Sequence, residues 1–104
     1  MDDFDRSFLS MNFAALVALE IPRAQELFPS EKRLAAAIEE AGEVAKQLLE
    51  MDPDSPDDWN ELVKECVQAA AMFGRIAIEG DPTLGVHRPP FPSHPINAQS
   101  ILEE

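Results

Sequence analysis

The chain has 104 residues, 45% of them hydrophobic, which suits one domain with a core and excludes a compositionally disordered segment. Twenty acidic residues against eight basic ones set the formal charge at −12; such a field repels phosphate backbones, and no basic stripe offsets it, so direct nucleic-acid binding is not expected. A chain of this size buries only about two-thirds of its unfolded surface, so partner subunits would help it, and an anionic substrate would need a divalent cation to screen the repulsion.

Before position 80, Gly and β-branched residues are scarce while Ala, Leu, Glu, Gln and Lys abound, which predicts helix. A first helix is expected from about Phe4 to Glu20. It should stop before Pro22, because a residue preceding proline is pushed out of the α region. A short helical piece from Pro22 to Leu27 follows, with Pro22 in its first turn. Phe4, Phe8 and Phe13 are read as the buried side of the first helix. Ser7 to Leu19 is uncharged and mostly apolar, yet falls short of the ~20 apolar residues that span a bilayer. Asp2, Asp3 and Asp5 precede it in place of a basic leader segment, so no membrane association is expected and a cytoplasmic protein is.

Pro29 and Ser30 open the second helix, with Ser30 as N-cap, and it runs to about Met51. Asp52-Pro53-Asp54-Ser55-Pro56 is the break. Ser55 is the best cap in the chain: Pro56 takes the first helical position, and Asp57 and Asp58 favour the positive end of the dipole. The third helix ends near Glu79, where Gly80-Asp81-Pro82 stops it. Residues 1–80 thus form an all-α domain, and 81–104 a Pro-rich extension. The extension carries Pro82, Pro89, Pro90, Pro92, Pro95, His87 and His94, and is expected to be extended, mobile or laid on a partner, with a last helical turn near Asn97 to Leu102. Both histidines are read as surface residues.

On the second helix, Leu34, Ile38, Ala41, Ala45 and Leu48 follow the spacing of a core stripe; Leu62, Cys66, Ala69, Phe73 and Ile76 do so on the third, with Trp59 and Ala70 beside them. Packed together they predict an antiparallel helix pair joined by a short turn. Trp59 is expected in the core, and Cys66, the lone cysteine, acts as a small hydrophobe with no disulfide or Cys-based zinc site available.

Off those stripes, Glu40 and Glu43 are three apart, as are Glu65 and Gln68, with Glu39 adjoining the first pair and Glu61 one turn before the second. In an antiparallel pair both sets come from mid-helix, and carboxylates converging there repel one another unless a cation sits among them. Hard oxygen ligands suit Mg²⁺ or Mn²⁺, which keep waters and also bind phosphates. By spacing alone, the same glutamates are first of all what any solvated helix face looks like. Against that, Met72 falls between Glu61 and Glu65, and Val44 and Met51 flank Glu40, so the acidic side should be partly covered.

The run Glu39-Glu40-Ala41-Gly42-Glu43, followed by Glu65-Cys66-Val67-Gln68, resembles the Glu-Glu-x-x-Glu … Glu-x-x-Asp pattern of the MazG-like all-α nucleoside triphosphate pyrophosphohydrolases. The likeness covers about Leu34 to Ile78, and Lys64 to Met72 looks like one branch of small MazG-like proteins. It implies a MazG-like helical bundle completed as a homodimer or homotetramer, and Mg²⁺-dependent conversion of a nucleoside triphosphate to monophosphate and pyrophosphate. By motif position Glu40, Glu43 and Glu65 would be metal ligands, with Gln68 as a neutral fourth. Glu39 would orient the attacking water, beside Glu43. Lys46, Lys64 and Arg75, with Arg33 as a further candidate, would meet phosphate. One departure stands out: Gln68 occupies the family's aspartate position and offers a carbonyl oxygen without charge. A competing expectation is therefore a MazG-like module that has lost catalysis and binds a nucleotide or a protein. An acidic DNA mimic ranks last, because the acids concentrate on two helix faces and the termini.

Overall fold

The structure, a computed structural model, describes residues 1–88 and 98–102. It is mostly helical. Three long helices, α1 (Asp3–Leu27), α2 (Arg33–Glu50) and α3 (Pro56–Glu79), precede a two-residue strand β1 (Gly80–Asp81), a 3₁₀ turn (Pro82–Leu84), a second short strand β2 (Val86–His87) and α4 (Ala98–Leu102). β1 and β2 pair antiparallel, Gly80 opposite His87 and Asp81 opposite Val86. The first part of the Pro-rich extension is therefore folded back onto the helices. Pro89, Pro90, Pro92, Pro95, His94 and Asn97 lie outside the described residues.

Helix α3 follows its local signals. Ser55 Oγ accepts from the Asp58 N–H at 3.2 Å, Pro56 holds the first turn, and Gly80 ends the helix with φ of +73°. A Cβ at Gly80 would meet the Val86 carbonyl oxygen at 2.5 Å, so both the backbone angle and the strand pairing require glycine there.

Two local expectations fail, each for a tertiary reason. Pro22 does not interrupt α1, which runs unbroken through it. An interior proline costs a helix about 3 kcal/mol, but the residues on either side are held by packing. Ile21 sits so close to α3 that a Cβ at Gly74 would meet its Cδ1 at 2.9 Å, and Ala24 is buried. Ser30 does not cap α2. The cap position is Lys32, without a side-chain bond; instead Asp81, from β1, accepts the Leu34 N–H on Oδ2 at 2.9 Å.

Helices α2 and α3 do form the antiparallel pair, but α2 presents the opposite face from the one its stripe suggests. Arg33, Ala36 and Ala37 are buried and Glu40, Val44 and Gln47 half-buried, whereas Leu34, Ile38, Ala41, Ala45 and Leu48 are exposed. The reason is steric: Ala36 and Ala37 let α2 approach Met72 and Ile76 closely, forming the buried centre. Among the described residues, five of the seven buried apolar ones are alanines and the one large side chain fully enclosed is Arg75, so this part of the chain has a thin core. Trp59 is half exposed, its indole N–H donating to the Pro53 carbonyl at 2.6 Å, and Phe4, Phe8 and Phe73 are exposed as well. Phe13 sits at the margin, 37% exposed.

Candidate functional site

Two charge clusters lie along the α2/α3 pair. At the end nearest β1, Glu79 Oε1 accepts from Arg33 Nη2 at 2.8 Å, while its Oε2 accepts from Arg75 Nε at 3.1 Å and Gln25 Nε2 at 3.0 Å. Arg75 also donates through Nη1 to the carbonyls of Phe28 (3.1 Å) and Ala24 (3.4 Å). These are carbonyls at the C-terminus of α1, whose last turn has no basic residue. Arg75 thus supplies from α3 the cation that the negative end of α1 lacks. Burial alone would push the Glu79 carboxyl up, but the bonds from Arg75, Gln25 and Arg33 outweigh it and hold it below its ordinary value. Asp81 is likewise held low, chiefly by the Thr83 hydroxyl and the Leu34 N–H. This cluster is internally neutralised.

It also settles where two expected phosphate ligands stand. Arg75 is fully buried and Arg33 nearly so, their guanidiniums turned to Glu79 rather than to solvent, because a buried cation needs a countercharge and α3 carries one a turn away. Lys64 lies on the surface 3.7 Å from Glu61, and Lys46 is exposed.

The second cluster is mid-helix. Glu40 and Glu65 are half-buried, one from each helix, while Glu39, Glu43 and Glu61 are exposed. The Glu40 carboxyl is pushed up, first by burial and then by the charges of Glu65, Glu39, Glu43 and Glu31. Glu65 is raised by burial, by a carboxyl–carboxyl hydrogen bond to Glu61, and by Glu43; the Lys64 charge opposes this. Glu40, Glu43 and Glu65 therefore share one electrostatic neighbourhood, as the antiparallel pairing requires. Glu40 Oε2 is buried without a hydrogen-bond partner, the kind of atom that calls for a proton or a cation. The oxygen donors suit Mg²⁺ or Mn²⁺ chemically. As the side chains stand, no three His, Cys, Asp or Glu among the described residues are gathered closely enough to hold a metal.

Beside Glu40 opens a pocket of about 190 Å³, lined by Glu20 and Arg23 of α1, Phe28 just past its end, Glu31, Glu40 of α2, and Gln68 and Met72 of α3. Gln68 thus shares a wall with Glu40. Arg23 forms a hydrogen-bonded ion pair with Glu20 there. The α1 contribution escapes a reading of the sequence that ends the helix at Glu20; continuing the helix through Pro22 is the signal that brings Arg23 and Phe28 to the pocket.

Compared with protein-family models, with curated proteins and with solved structures, the chain matches none. Among the described residues no helix is long and apolar enough to cross a membrane.

Proposed function

We propose that this chain is a small nucleoside triphosphate pyrophosphohydrolase of MazG-like character, working with Mg²⁺ or Mn²⁺ in the cytoplasm and releasing nucleoside monophosphate and pyrophosphate. The observation that carries this reading is the mid-helix cluster, in which Glu40, Glu43 and Glu65 repel one another with Glu40 Oε2 buried and unpartnered beside a pocket. Such an arrangement is stabilised by a cation, and the sequence order of its residues is the one the motif resemblance implies. Glu40, Glu43 and Glu65 would hold the ion, with the Gln68 carbonyl oxygen as a neutral neighbour. When bound, the ion supplies charge screening for the phosphates and a lowered pKa for the attacking water. Glu39, exposed one residue before Glu40, would orient that water. Arg23, which lines the pocket paired with Glu20, would take the place of Arg75 as a cation for a bound anion, with Lys46 and Lys64 at the surface.

A second reading, a helical module that binds a nucleotide or protein without turnover, draws on two observations. Gln68 brings no charge to the pocket, and Arg33 and Arg75 are committed to Glu79. The test is pyrophosphate release from a panel of ribo- and deoxyribonucleoside triphosphates with Mg²⁺ or Mn²⁺. Turnover that disappears in Glu43→Gln and on chelation supports the enzyme. A folded protein that binds nucleotide without turnover, and regains activity in Gln68→Asp, supports the second reading.

A further inference from the structure

The pocket beside Glu40 has a wall for which a bound ion has no use. Its volume of about 190 Å³ falls below the roughly 300–1,000 Å³ of a typical ligand site, so it holds one ring system rather than a whole nucleotide. Part of the lining is apolar: Ala24, Phe28, Ala71 and Met72. Ala24, Ala71 and Met72 are buried, whereas Phe28 keeps 51% of its surface exposed. The Phe28 backbone is nevertheless fixed. Its N–H donates to the Ala24 carbonyl at 2.8 Å, and its own carbonyl accepts from the Glu31 N–H at 3.3 Å and from the buried Arg75 at 3.1 Å. An open aromatic side chain on a pinned backbone, beside a cavity of this size, suits stacking on a planar ring.

The polar lining decides which ring. Arg23 directs Nε and Nη2 at Glu20, which leaves Glu31, Glu40 and Gln68 to meet a ligand. Glu31 stands outside the proposed ion ligands. Both Glu31 and Gln68 are half-buried, and neither side chain makes a hydrogen bond or ion pair among the described residues. The two differ in what they tolerate. A carboxamide offers a donor and an acceptor and can turn to suit any base edge, whereas a carboxylate only accepts. Glu31 therefore welcomes an N–H and repels a carbonyl oxygen. Cytosine and adenine present an amino group where uracil and hypoxanthine present a carbonyl, and a Glu accepting from the cytosine amino group is an established mode of base reading.

We infer that the pocket receives the base of the nucleotide, stacked on Phe28 and backed by Met72, and that Glu31 selects bases bearing an exocyclic amino group over their keto counterparts. This rests on the nucleotide reading of the acidic cluster and adds to it a substrate class, cytosine and adenine nucleotides. Glu31 is on this account a specificity residue; it carries no step of the hydrolysis.

The experiment compares kcat/KM for CTP against UTP, and for ATP against inosine triphosphate, with Mg²⁺ present. Within each pair an amino group is exchanged for a carbonyl, and the amino member should lead by about tenfold or more. Glu31→Gln can donate as well as accept, so it should bring each pair to within about twofold. Phe28→Ala should raise KM about tenfold for all four while leaving the ratios in place. Equal rates within the pairs, a lead for the keto members, or a preference that survives Glu31→Gln overturns the inference and leaves the pyrophosphohydrolase reading standing. No turnover of any of the four is the failure of that reading instead. Calorimetric titration of the same nucleotides with Mg²⁺ then decides: tighter binding of CTP than of UTP, lost in Glu31→Gln, sustains the base assignment, and equal or absent binding overturns it.

Discussion

The two charge clusters sit on the same pair of helices and are treated in opposite ways. At the β1 end, α1, α2 and α3 bring Gln25, Arg33 and Arg75 onto one carboxylate, and Glu79 is drawn below its ordinary range. Two turns and more away, the same helices set Glu40 and Glu65 together without a buried cation, and both are driven up. A protein that holds buried arginines for structure and leaves its mid-helix carboxylates uncompensated has separated a part that holds the fold from a part that waits for charge. The first cluster also caps helices: Arg75 reaches the C-terminal carbonyls of α1, and Asp81 the N-terminus of α2.

That contrast is open to breaking. The largest effect is expected at the neutralised cluster. Glu79→Ala strands Arg33 and Arg75 as buried cations, and removing one partner of a buried pair costs about 3–5 kcal/mol. Urea unfolding measures it; a loss below about 1 kcal/mol would show that the arginines find water and that this cluster does not hold the fold.

Next comes cation binding at the other cluster. At neutral pH, Mg²⁺ or Mn²⁺ at a hundredfold over its dissociation constant should stabilise the chain by about 2.7 kcal/mol. A thermal melt with and without chelator reads this directly. Glu40→Gln and Glu65→Gln should abolish the shift while leaving the metal-free protein at least as stable, because each removes a repelled carboxylate. A metal-induced shift that persists in both variants places the cation elsewhere.

The pH dependence follows from the opposed shifts. Glu40 and Glu65 have raised pKa values, so the folded state holds protons that the unfolded chain gives up; stability rises as pH falls from neutral toward their unfolded value near 4.5. Glu79 and Asp81 are depressed, so their contribution is present above their unfolded values of 4.5 and 3.8 and is lost as pH falls further, through the folded pKa values. Metal-free protein should therefore melt highest in mildly acidic solution. In Glu40→Gln the limb between neutral and mildly acidic pH should flatten; an unchanged profile would mean that the cluster does not govern it. The smallest effect is at the rim: Lys64→Ala disturbs only an exposed pair with Glu61 and should change stability by less than about 0.5 kcal/mol.

Local chemistry made helix α3 legible from end to end, since Ser55, Pro56 and Gly80 act within a few residues of themselves. It also made the acidic constellation legible, because residues three and four apart share a face and an antiparallel turn brings mid-helix to mid-helix. The electrostatic coupling of Glu40, Glu43 and Glu65 is the consequence. The pocket was half legible: Glu40 and Gln68 come from the motif, whereas Arg23 and Phe28 depend on α1 passing through Pro22.

Periodicity gave α2 an apolar stripe, and composition predicted that the chain is mainly helical up to Glu79. Which stripe faces α3 was a matter of fit. Ala36 and Ala37 permit an approach that Leu34 and Ile38 would prevent, so the stripe that looks like core is left outside. The ties that hold the ends of the bundle, Arg33 to Glu79 and Asp81 to Leu34, span 46 and 47 residues. No window of sequence contains both partners, and only packing brings a charge to the helix end that lacks one.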